Sequence, residues 1–335
     1  MLNNQTANSL LKSQHPVLLF ANGHGDHYLN LPTIRALAKL FSGKLILVGI
    51  KDAINQIAGD LTLTKLIGLP MQHNGTGRSF DSNQAATQIG QCDLFISLNP
   101  WQSDDLHALI AKLKPQTSIG FFDHYDITVA RDYNKHSVDL AFDFVRLFQQ
   151  NWQPEQFSKP PQYEQKEYQV ANKILNSIKS NQKLLCIHPD TLPKKMWPES
   201  CWLQLIDKFL DQNPDYTVFI IGLKGIDASL CQNHKSVIPA YRLPISVSAI
   251  LLSKADLFIG VDSVFLHIAD LYRVLTVALF SPTSTQEWGI RFGSGIHIHE
   301  KSGMDKLSVE RVFNKINYLV ARPNTKKYLH TIQTG

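Results

Sequence analysis

The chain has 335 residues, of which 44% are hydrophobic, and its formal net charge at pH 7 is +5. This length predicts two domains, and a small net charge without a run of five basic residues argues against a nucleic-acid partner. The sequence contains no run of about 18 apolar residues, so no transmembrane helix is predicted. The polar N-terminus lacks a signal-peptide pattern. We therefore expect a cytoplasmic protein.

Segments with strand and helix patterns alternate along the first half of the chain. Short apolar runs predict buried strands at residues 17–21, 44–50, 94–98 and 118–122. Apolar residues at helical spacing predict helices at residues 30–41, 53–58, 104–113 and 136–149. Such alternation is typical of a parallel sheet that helices cover on both faces.

A segment rich in Pro, Gln and Lys, residues 151–164, separates the two halves and predicts a linker. The second half repeats the alternation, with strands predicted at 184–187, 217–221, 257–259 and 274–280. Its helices are predicted at 165–180, 199–211, 246–254 and 307–320, with one more from position 264. We therefore predict an α/β protein with two doubly wound Rossmann-like domains that face a cleft. The predicted domains are residues 1–150 and 165–322, followed by a tail at 323–335.

The most informative stretch, residues 255–289, predicts one strand–helix–strand unit. Its first strand ends at Gly260, and both Asp262 and Ser263 are good N-cap residues for the following helix. His267 lies one turn into that helix. A helix N-terminus carries unpaired N–H groups and about half a positive charge. The stretch therefore predicts an anion site, without indicating which anion binds.

Two loops that follow predicted strands hold further candidates. After the first strand, Gly23 and Gly25 permit tight turns, and Asp26 stands in a loop where it could face a ligand. An ordinary turn or capping aspartate is the alternative. After the strand at 184–187, Lys195 could reach a phosphate as a point charge. A solvated surface lysine is the alternative there.

The histidine pattern does not predict a metal site. His24 and His27 are three residues apart, but Gly25 breaks the helix that would align them. His297 and His299 fit a solvated strand face. The loop that holds His24 also lacks the third glycine of a dinucleotide-binding fingerprint. We expect neither a metal nor a resident cofactor.

Five short motifs occur in a fixed order along the chain. They are Gly25-Asp26 with Pro32 and Leu37; His136 with Asp139; His188-Pro189-Asp190 with Lys195-Met196-Trp197-Pro198; Gly260-Val261-Asp262-Ser263 with His267 and Ala269; and Phe280-Ser281-Pro282-Thr283 with Trp288-Gly289. Together they resemble the motifs of glycosyltransferase family 9, the ADP-heptose:lipopolysaccharide heptosyltransferases and their relatives. The resemblance covers most of the chain. Three residues depart from it, since Asp190 and Ser281 replace glycine and Ile290 replaces proline.

The resemblance implies a glycosyltransferase of the B-type fold that works without a metal and inverts the anomeric carbon. The N-terminal domain would bind the acceptor and the C-terminal domain a nucleotide-diphosphate sugar, most simply an ADP-linked heptose or related sugar. Asp26 would be the general base for the acceptor hydroxyl. The acceptor would be a glycan, a lipid-linked or a small molecule, as in lipopolysaccharide biosynthesis. Membrane contact would be at most peripheral, at the inner membrane face.

The resemblance also implies roles for individual residues. Lys195 and the helix N-terminus at Ser263 would stabilise the leaving diphosphate. Asp262 would cap the helix or orient the loop, with His267 as its partner. The acidic ligand of the donor ribose should follow the strand at 217–221, where Asp227 is the nearest match. On the acceptor side we expect contacts from His24, His27 and Arg291.

Two other functions fit the same architecture. A nucleotide-sugar epimerase would need acid and base residues at the sugar C2 position and would act on the donor alone. A catalytically degenerate nucleotide-sugar-binding protein would bind the donor without turnover. The unusual Asp190 favours this last function, whereas the joint presence of Asp26, Lys195 and Asp262 opposes it.

Overall fold

The computed structural model describes residues 3–73, 77–178, 181–226 and 235–321. The chain divides into two compact units, the first ending at Gln162 and the second beginning at Tyr163. The predicted tail at 323–335 lies outside the described residues. Among the helices that the structure describes, none is both long enough and apolar enough to cross a membrane.

The first unit is built around a parallel sheet. Its strands are β1 (Pro16–Phe20), β2 (Ile46–Ile50), β3 (Lys65–Leu69), β4 (Gln72–His73), β5 (Arg78–Ser79), β6 (Leu94–Ser97), β7 (Thr117–Gly120) and β8 (Ile127–Thr128). Six of them form the sheet, in the order β3-β2-β1-β6-β7-β8, while β4 and β5 pair with each other in antiparallel fashion. The helices are α1 (Asn4–Leu10), α2 (His24–Leu40), α3 (Lys51–Ile57), α4 (Ser82–Ile89), α5 (Asp104–Leu113) and α6 (Ser137–Arg146), with 3-10 turns at Ala58–Asp60 and Pro154–Phe157.

The second unit repeats this plan. Its strands are β9 (Lys183–His188), β10 (Tyr216–Gly222), β11 (Val237–Tyr241), β12 (Leu257–Val261), β13 (Thr276–Phe280) and β14 (Gly295–His299). They form a parallel sheet in the order β11-β10-β9-β12-β13-β14. The helices are α7 (Gln165–Leu175), α8 (Glu199–Gln212), α9 (Ile245–Leu252), α10 (Val264–Leu271), α11 (Thr285–Trp288) and α12 (Val309–Val320), with 3-10 turns at Pro193–Lys195 and Met304–Lys306.

Both sheets are doubly wound, which confirms the predicted fold class. Every residue of β1 and of β12 is buried, because helices cover both faces of a parallel sheet and leave no strand side for water. The strand order reverses between β1 and β6 in the first unit, and between β9 and β12 in the second. In such sheets, ligands bind beyond the carboxyl ends of the strands at the point of reversal.

Two tryptophans fix the loop that follows β9. Trp197 is 2% exposed, and its indole N–H donates to the main-chain oxygen of Leu307 over 2.9 Å. Its ring packs edge-on against Trp202 of α8, with the ring centroids 4.9 Å apart. Because both rings belong to the main hydrophobic core of this unit, the 3-10 turn at Pro193–Lys195 is anchored to that core.

Helix α2 starts six residues earlier than the sequence indicates. The glycines and histidines after β1 suggested a loop, yet the helix begins at His24 and contains Pro32. Gly23 supplies the extended N-cap, and the Asp26 carboxylate accepts a hydrogen bond from the Gly23 N–H over 3.0 Å. This capping interaction offsets the weak helix propensity of the segment. Asp26 therefore lies in the first turn of a helix, and its predicted loop position was wrong.

Four strands of the two six-stranded sheets escaped prediction, namely β3, β8, β11 and β14. β14 contains His297 and His299, which the sequence analysis assigned to a solvated face. His297 is buried instead, and its Nε2 accepts a hydrogen bond from the Ile290 N–H over 2.8 Å. The prediction of a solvated face was wrong for His297, because the strand is buried at the edge of the sheet and the His297 imidazole accepts the hydrogen bond of a loop amide.

One buried arginine connects α2 with the end of the first unit. Arg35 donates to both carboxylate oxygens of Asp60, over 3.0 and 2.9 Å, and to the main-chain oxygens of Phe157, Lys159 and Pro160. Burial raises the pKa of the Asp60 carboxyl, but hydrogen bonds from Arg35 and Lys159 outweigh that effect and hold the pKa below its usual value. The pair is thus fully ionised and satisfied in the folded chain.

We predict that Arg35→Ala destabilises the first unit by about 3–5 kcal/mol, because it leaves a buried carboxylate and several carbonyls without their donor. Arg35→Lys should recover only part of this loss, since an ammonium cannot reproduce the two-pronged contact. Hydrogen exchange of the β1 amides would report the free energy of opening. A loss below about 1 kcal/mol in the alanine variant would contradict the anchoring role.

Candidate active site

The junction of β12 and α10 offers an open helix N-terminus. Ser263 is the N-cap residue, with an extended backbone, but its side chain makes no capping hydrogen bond to the helix. The first amides of α10 are therefore not occupied by the N-cap hydroxyl. This end of the helix lies at the carboxyl edge of the sheet, where the strand order reverses. Such a position suits an anionic ligand.

The Asp262 carboxylate joins three loops of this edge. Its Oδ2 accepts hydrogen bonds from the Lys195 ammonium, over 2.6 Å, and from the Thr283 hydroxyl, over 2.5 Å. Thr191 donates its hydroxyl to the Asp262 main-chain oxygen over 3.0 Å. The ion pair is largely buried, with 17% of the Lys195 side chain exposed and 6% of the Asp262 side chain. Asp262 thus holds the ammonium beside the start of α10.

His188, the last residue of β9, contacts Ser263 at the same junction. Its Nδ1 lies 3.0 Å from the Ile221 main-chain oxygen, and its Nε2 lies 3.2 Å from the Ser263 hydroxyl. Burial lowers the pKa of His188, so the ring is neutral near pH 7. A carbonyl can only accept, so we assign the proton to Nδ1, which leaves Nε2 to accept from Ser263. The sequence analysis did not assign a role to His188, which ends β9 beside the reversal, or to Thr283, which lies in the loop after β13.

The other predicted residues of the second unit are spread more widely. His267 is buried in α10, one turn beyond Ser263. The main-chain N–H of Arg291 donates to Asp270, at the far end of α10, which is roughly 10 Å along the helix axis from Ser263. The Arg291 guanidinium lies 5.5 Å from the centre of the Phe292 ring. Asp227 lies outside the described residues.

In the first unit, Asp26 lies at the equivalent edge of the sheet. It is half-buried in the first turn of α2, directly after β1, where the strand order reverses. Its main-chain oxygen accepts from the Asn30 side-chain amide over 2.8 Å, which adds a second local restraint to the capping interaction. The carboxylate is thus held at a defined place beside the positive end of a helix.

Residues after β6 fix the loop that leads to Asp26. Asn99 is fully buried, and its side chain accepts from the Ala21 N–H over 2.8 Å and donates to the Leu19 main-chain oxygen over 3.2 Å. The Trp101 indole N–H donates to the Asn22 side chain over 2.7 Å. The sequence analysis missed both residues, whose signal is their position directly after a buried strand.

The two histidines near Asp26 differ in exposure. His24 is half-buried, whereas His27 is fully buried, with its ring 4.7 Å from the Phe20 ring. The His27 Nδ1 lies 2.9 Å from the Gly23 main-chain oxygen. Burial lowers the pKa of His27 to about 4. Because the His27 side chain is fully buried, it cannot contact an acceptor. It instead stabilises the helix turn that contains Asp26 from the interior of the unit.

In the described ranges, no set of three or more His, Cys, Asp or Glu residues is arranged to hold a metal ion. The residues Lys195, Asp262 and Ser263 at the junction of β12 and α10 form what we call the β12–α10 centre. Its charged groups are the Asp262 carboxylate and the Lys195 ammonium, which are in contact.

The sequence profile of glycosyltransferase family 9 (heptosyltransferase) matches residues 108–301. The chain belongs to glycosyltransferase family 9. The match spans more than half of the chain and includes Lys195 and the β12–α10 centre, and it confirms the resemblance seen in the motifs. The chain is therefore a glycosyltransferase of the heptosyltransferase family. A comparison with curated protein sequences finds no match.

Solved structures share the fold of this family 9 chain over nearly its whole length. A glycosyltransferase family 9 structure from Veillonella parvula is 16% identical, with 93% of this chain and 99% of that chain covered and a TM-score of 0.75. Escherichia coli heptosyltransferase WaaC with ADP is 14% identical, covering 91% and 99%, with a TM-score of 0.64. Escherichia coli ADP-heptose lps heptosyltransferase II is 14% identical, covering 91% and 98%, with a TM-score of 0.65. At these identities the likeness concerns the fold.

The buried His27 makes the first unit of this glycosyltransferase sensitive to pH. A histidine has a pKa of about 6.5 in the unfolded chain and about 4 here, so the unfolded state binds the proton first as pH falls. The contribution of His27 to the free energy of unfolding is therefore fully present above about pH 6.5 and is lost as the pH falls from 6.5 to 4. From pH 7 to pH 5, His27 should account for a loss of about 2 kcal/mol.

His27→Phe should remove this part of the pH dependence, because phenylalanine fills the site and binds no proton. Hydrogen exchange of the β1 amides at the two pH values measures it within the first unit. The same substitution at the exposed His15 is the matched control. An unchanged pH dependence in His27→Phe would show that His27 is not the group responsible.

Proposed function

We propose that this chain is an inverting glycosyltransferase that moves a sugar from a nucleoside-diphosphate donor to an acceptor hydroxyl without a divalent metal. The observation that carries the proposal is the contact of Lys195 with Asp262 beside the uncapped start of α10. This centre supplies an ammonium, a hydroxyl and helix amides at one place, which is the chemistry that a leaving diphosphate requires.

The donor diphosphate would lie at the N-terminus of α10. The first helix amides would donate hydrogen bonds to it, Lys195 would add a positive charge, and the Ser263 hydroxyl would turn its single proton from the His188 Nε2 to the phosphate. The three N–H groups of a lysine allow Lys195 to contact the phosphate while it keeps its bond to Asp262. Asp262 itself would repel phosphate, so its role is to position Lys195 and Thr283.

The acceptor would bind to the first unit, with Asp26 as the general base. The acceptor hydroxyl oxygen attacks the anomeric carbon on the face opposite the diphosphate and gives its proton to the Asp26 carboxylate. The bond between the anomeric carbon and the diphosphate oxygen breaks, and the diphosphate leaves with the electron pair. One such displacement inverts the anomeric centre. The positive end of α2 favours the ionised carboxylate that a base needs.

Substrate identity is proposed from the named relatives. One solved relative is named for ADP-heptose and lipopolysaccharide, and another was solved with ADP. We therefore propose an ADP-linked heptose or a related sugar as donor, and a glycan of the lipopolysaccharide type as acceptor. Of the predicted acceptor contacts in the first turn of α2, His24 is half-buried, whereas His27 is fully buried. A lipid-linked acceptor would place the chain in the cytoplasm, at the inner membrane face.

We predict that Asp26→Asn lowers sugar transfer about 10²–10⁴-fold, the usual contribution of a positioned base. Asparagine can still accept the hydrogen bond from Gly23, so the helix cap should survive. ADP binding, measured by calorimetry, should stay unchanged, because the proposed donor site lies in the second unit. Where the acceptor is unknown, slow hydrolysis of the donor replaces transfer as the readout.

Asp81→Asn is the matched control for this experiment. Asp81 caps α4 in the same unit through hydrogen bonds from two helix amides, so it tests the loss of a capping carboxylate without touching the proposed base. Unchanged turnover in Asp26→Asn, or an equal loss in Asp81→Asn, would remove Asp26 from the mechanism. Conversion of the donor alone into an epimer would overturn transfer as the function.

A further inference from the structure

His188 and the Ser263 hydroxyl share one hydrogen bond beside the proposed diphosphate site. In the tautomer assigned above, the His188 Nδ1 donates to the Ile221 main-chain oxygen over 3.0 Å, and the Ser263 hydroxyl donates to Nε2 over 3.2 Å. A serine hydroxyl has a single proton, so it cannot donate to an imidazole and to a phosphate at the same time. A hydrogen bond from Ser263 to a diphosphate therefore takes the donor away from His188.

The loss of that donor leaves the His188 Nε2 facing the lone pairs of the Ser263 oxygen. His188 is 2% exposed, and its ring packs edge-on against Phe265 with the ring centroids 4.7 Å apart. The imidazole therefore has almost no surface on which water could replace the donor, and a buried acceptor without a partner is unfavourable. Protonation of Nε2 removes this cost, because the imidazolium then donates to the Ser263 oxygen while its other N–H stays on Ile221.

The unusual Asp190 supplies a negative charge next to this ring. Its Oδ2 accepts hydrogen bonds from the main-chain N–H groups of Leu223, over 2.6 Å, and Lys224, over 2.9 Å, which directly follow β10. Gly222 leaves room for the carboxylate, since a Cβ there would lie 2.2 Å from that oxygen and 3.1 Å from the His188 Nδ1. The carboxylate and the imidazole thus face the same small space, and two amides fix the carboxylate in it.

Burial and charge act on His188 in opposite directions. Burial has the larger effect and lowers the pKa of His188 in the free protein, whereas the Ile221 main-chain oxygen and the charge of Asp190 raise it. A diphosphate at the start of α10 would add further negative charge beside Ser263. Negative charge favours the protonated ring, so the diphosphate acts in the same direction as Asp190.

The neighbouring elements present other charged and titratable groups. Lys195 and Asp262 contact each other over 2.6 Å, so their opposite charges largely cancel at His188. His267 is buried in α10, one turn beyond Ser263. The side chain of Lys224, after β10, is exposed to solvent, which screens its charge. Asp190 is therefore the group of the β9 loop that favours a proton on His188.

We infer that His188 takes up a proton when the donor diphosphate binds, and that Asp190 makes this uptake favourable. The inference rests on the proposed function, because it assumes a nucleoside-diphosphate donor. The proton comes from the solvent and binds to Nε2, which then donates to the Ser263 oxygen, and no covalent bond of the donor changes. His188 is thus a positioning residue that keeps the Ser263 hydroxyl turned toward the phosphate. The imidazolium also adds a positive charge beside the diphosphate.

The test is the pH dependence of donor binding, measured by calorimetry with ADP-glucose, GDP-mannose and UDP-glucose. Both phosphates of these sugar nucleotides are esterified, so the ligand itself takes up no proton near neutral pH. For the tightest of the three, affinity should rise about 3- to 10-fold per unit as the pH falls from about 7.5 to 6, since tenfold per unit is the limit for one proton. Titrations in buffers of different ionisation enthalpy should count about 0.5 to 1 proton taken up per bound nucleotide.

Three variants make the result specific. The amide of His188→Gln can donate to the Ser263 oxygen but takes up no proton, so its affinity should change less than about twofold over the same pH range. Asp190→Asn keeps an oxygen for the two amides and removes the charge, so the rise in affinity should move to lower pH. His299→Gln, at the half-buried end of β14, is the matched control and should keep the full pH dependence.

The outcomes separate this inference from the proposed function. Binding without proton uptake by the unchanged protein, an undiminished rise in His188→Gln, or a rise that disappears in His299→Gln would overturn this inference alone. If His188→Gln does not fold, the half-exposed Asp190 carries the test, and an unshifted rise in Asp190→Asn would contradict it. Failure of the unchanged protein to bind any of the three sugar nucleotides would overturn the proposed function itself.

Discussion

The ion pair of Asp262 and Lys195 is the interaction on which the second unit's site depends. One carboxylate oxygen receives the ammonium and the Thr283 hydroxyl, so loops after β9, β12 and β13 meet at a single atom. Removing one partner of a largely buried pair leaves an uncompensated charge and is strongly destabilising. The same contact that stabilises these loops therefore also orders the cation that we propose for the leaving diphosphate.

Three aspartates of this chain are fixed by hydrogen bonds to other parts of the chain. Asp26 accepts from the Gly23 amide, Asp190 from two amides after β10, and Asp262 from a lysine and a threonine. In each case a hydrogen bond to the chain fixes the carboxylate before any substrate arrives. A group fixed in advance loses little freedom when it acts, which is the physical basis of preorganised catalysis and binding.

The sequence predicted the layered fold well, because buried parallel strands are continuous apolar runs and their alternation with helices has few solutions. It also singled out Lys195, Asp262 and Ser263, which the structure brings together at one edge of the second sheet, and their role in donor binding stays a prediction. It misplaced the start of α2, where a capping contact outweighed the glycines, and the exposure of His297, which a loop amide satisfies. The partner of Asp190 was not predictable, because the contact joins residues more than 30 positions apart through backbone amides alone.

A crystal structure with the most tightly bound nucleoside diphosphate would test the central claim most directly. It should place the terminal phosphate at the N-terminus of α10, within hydrogen-bond distance of the Lys195 Nζ and the Ser263 Oγ, with the Asp262 carboxylate still on Thr283. A phosphate bound away from α10, or a Lys195 that contacts only Asp262 in the complex, would contradict the account.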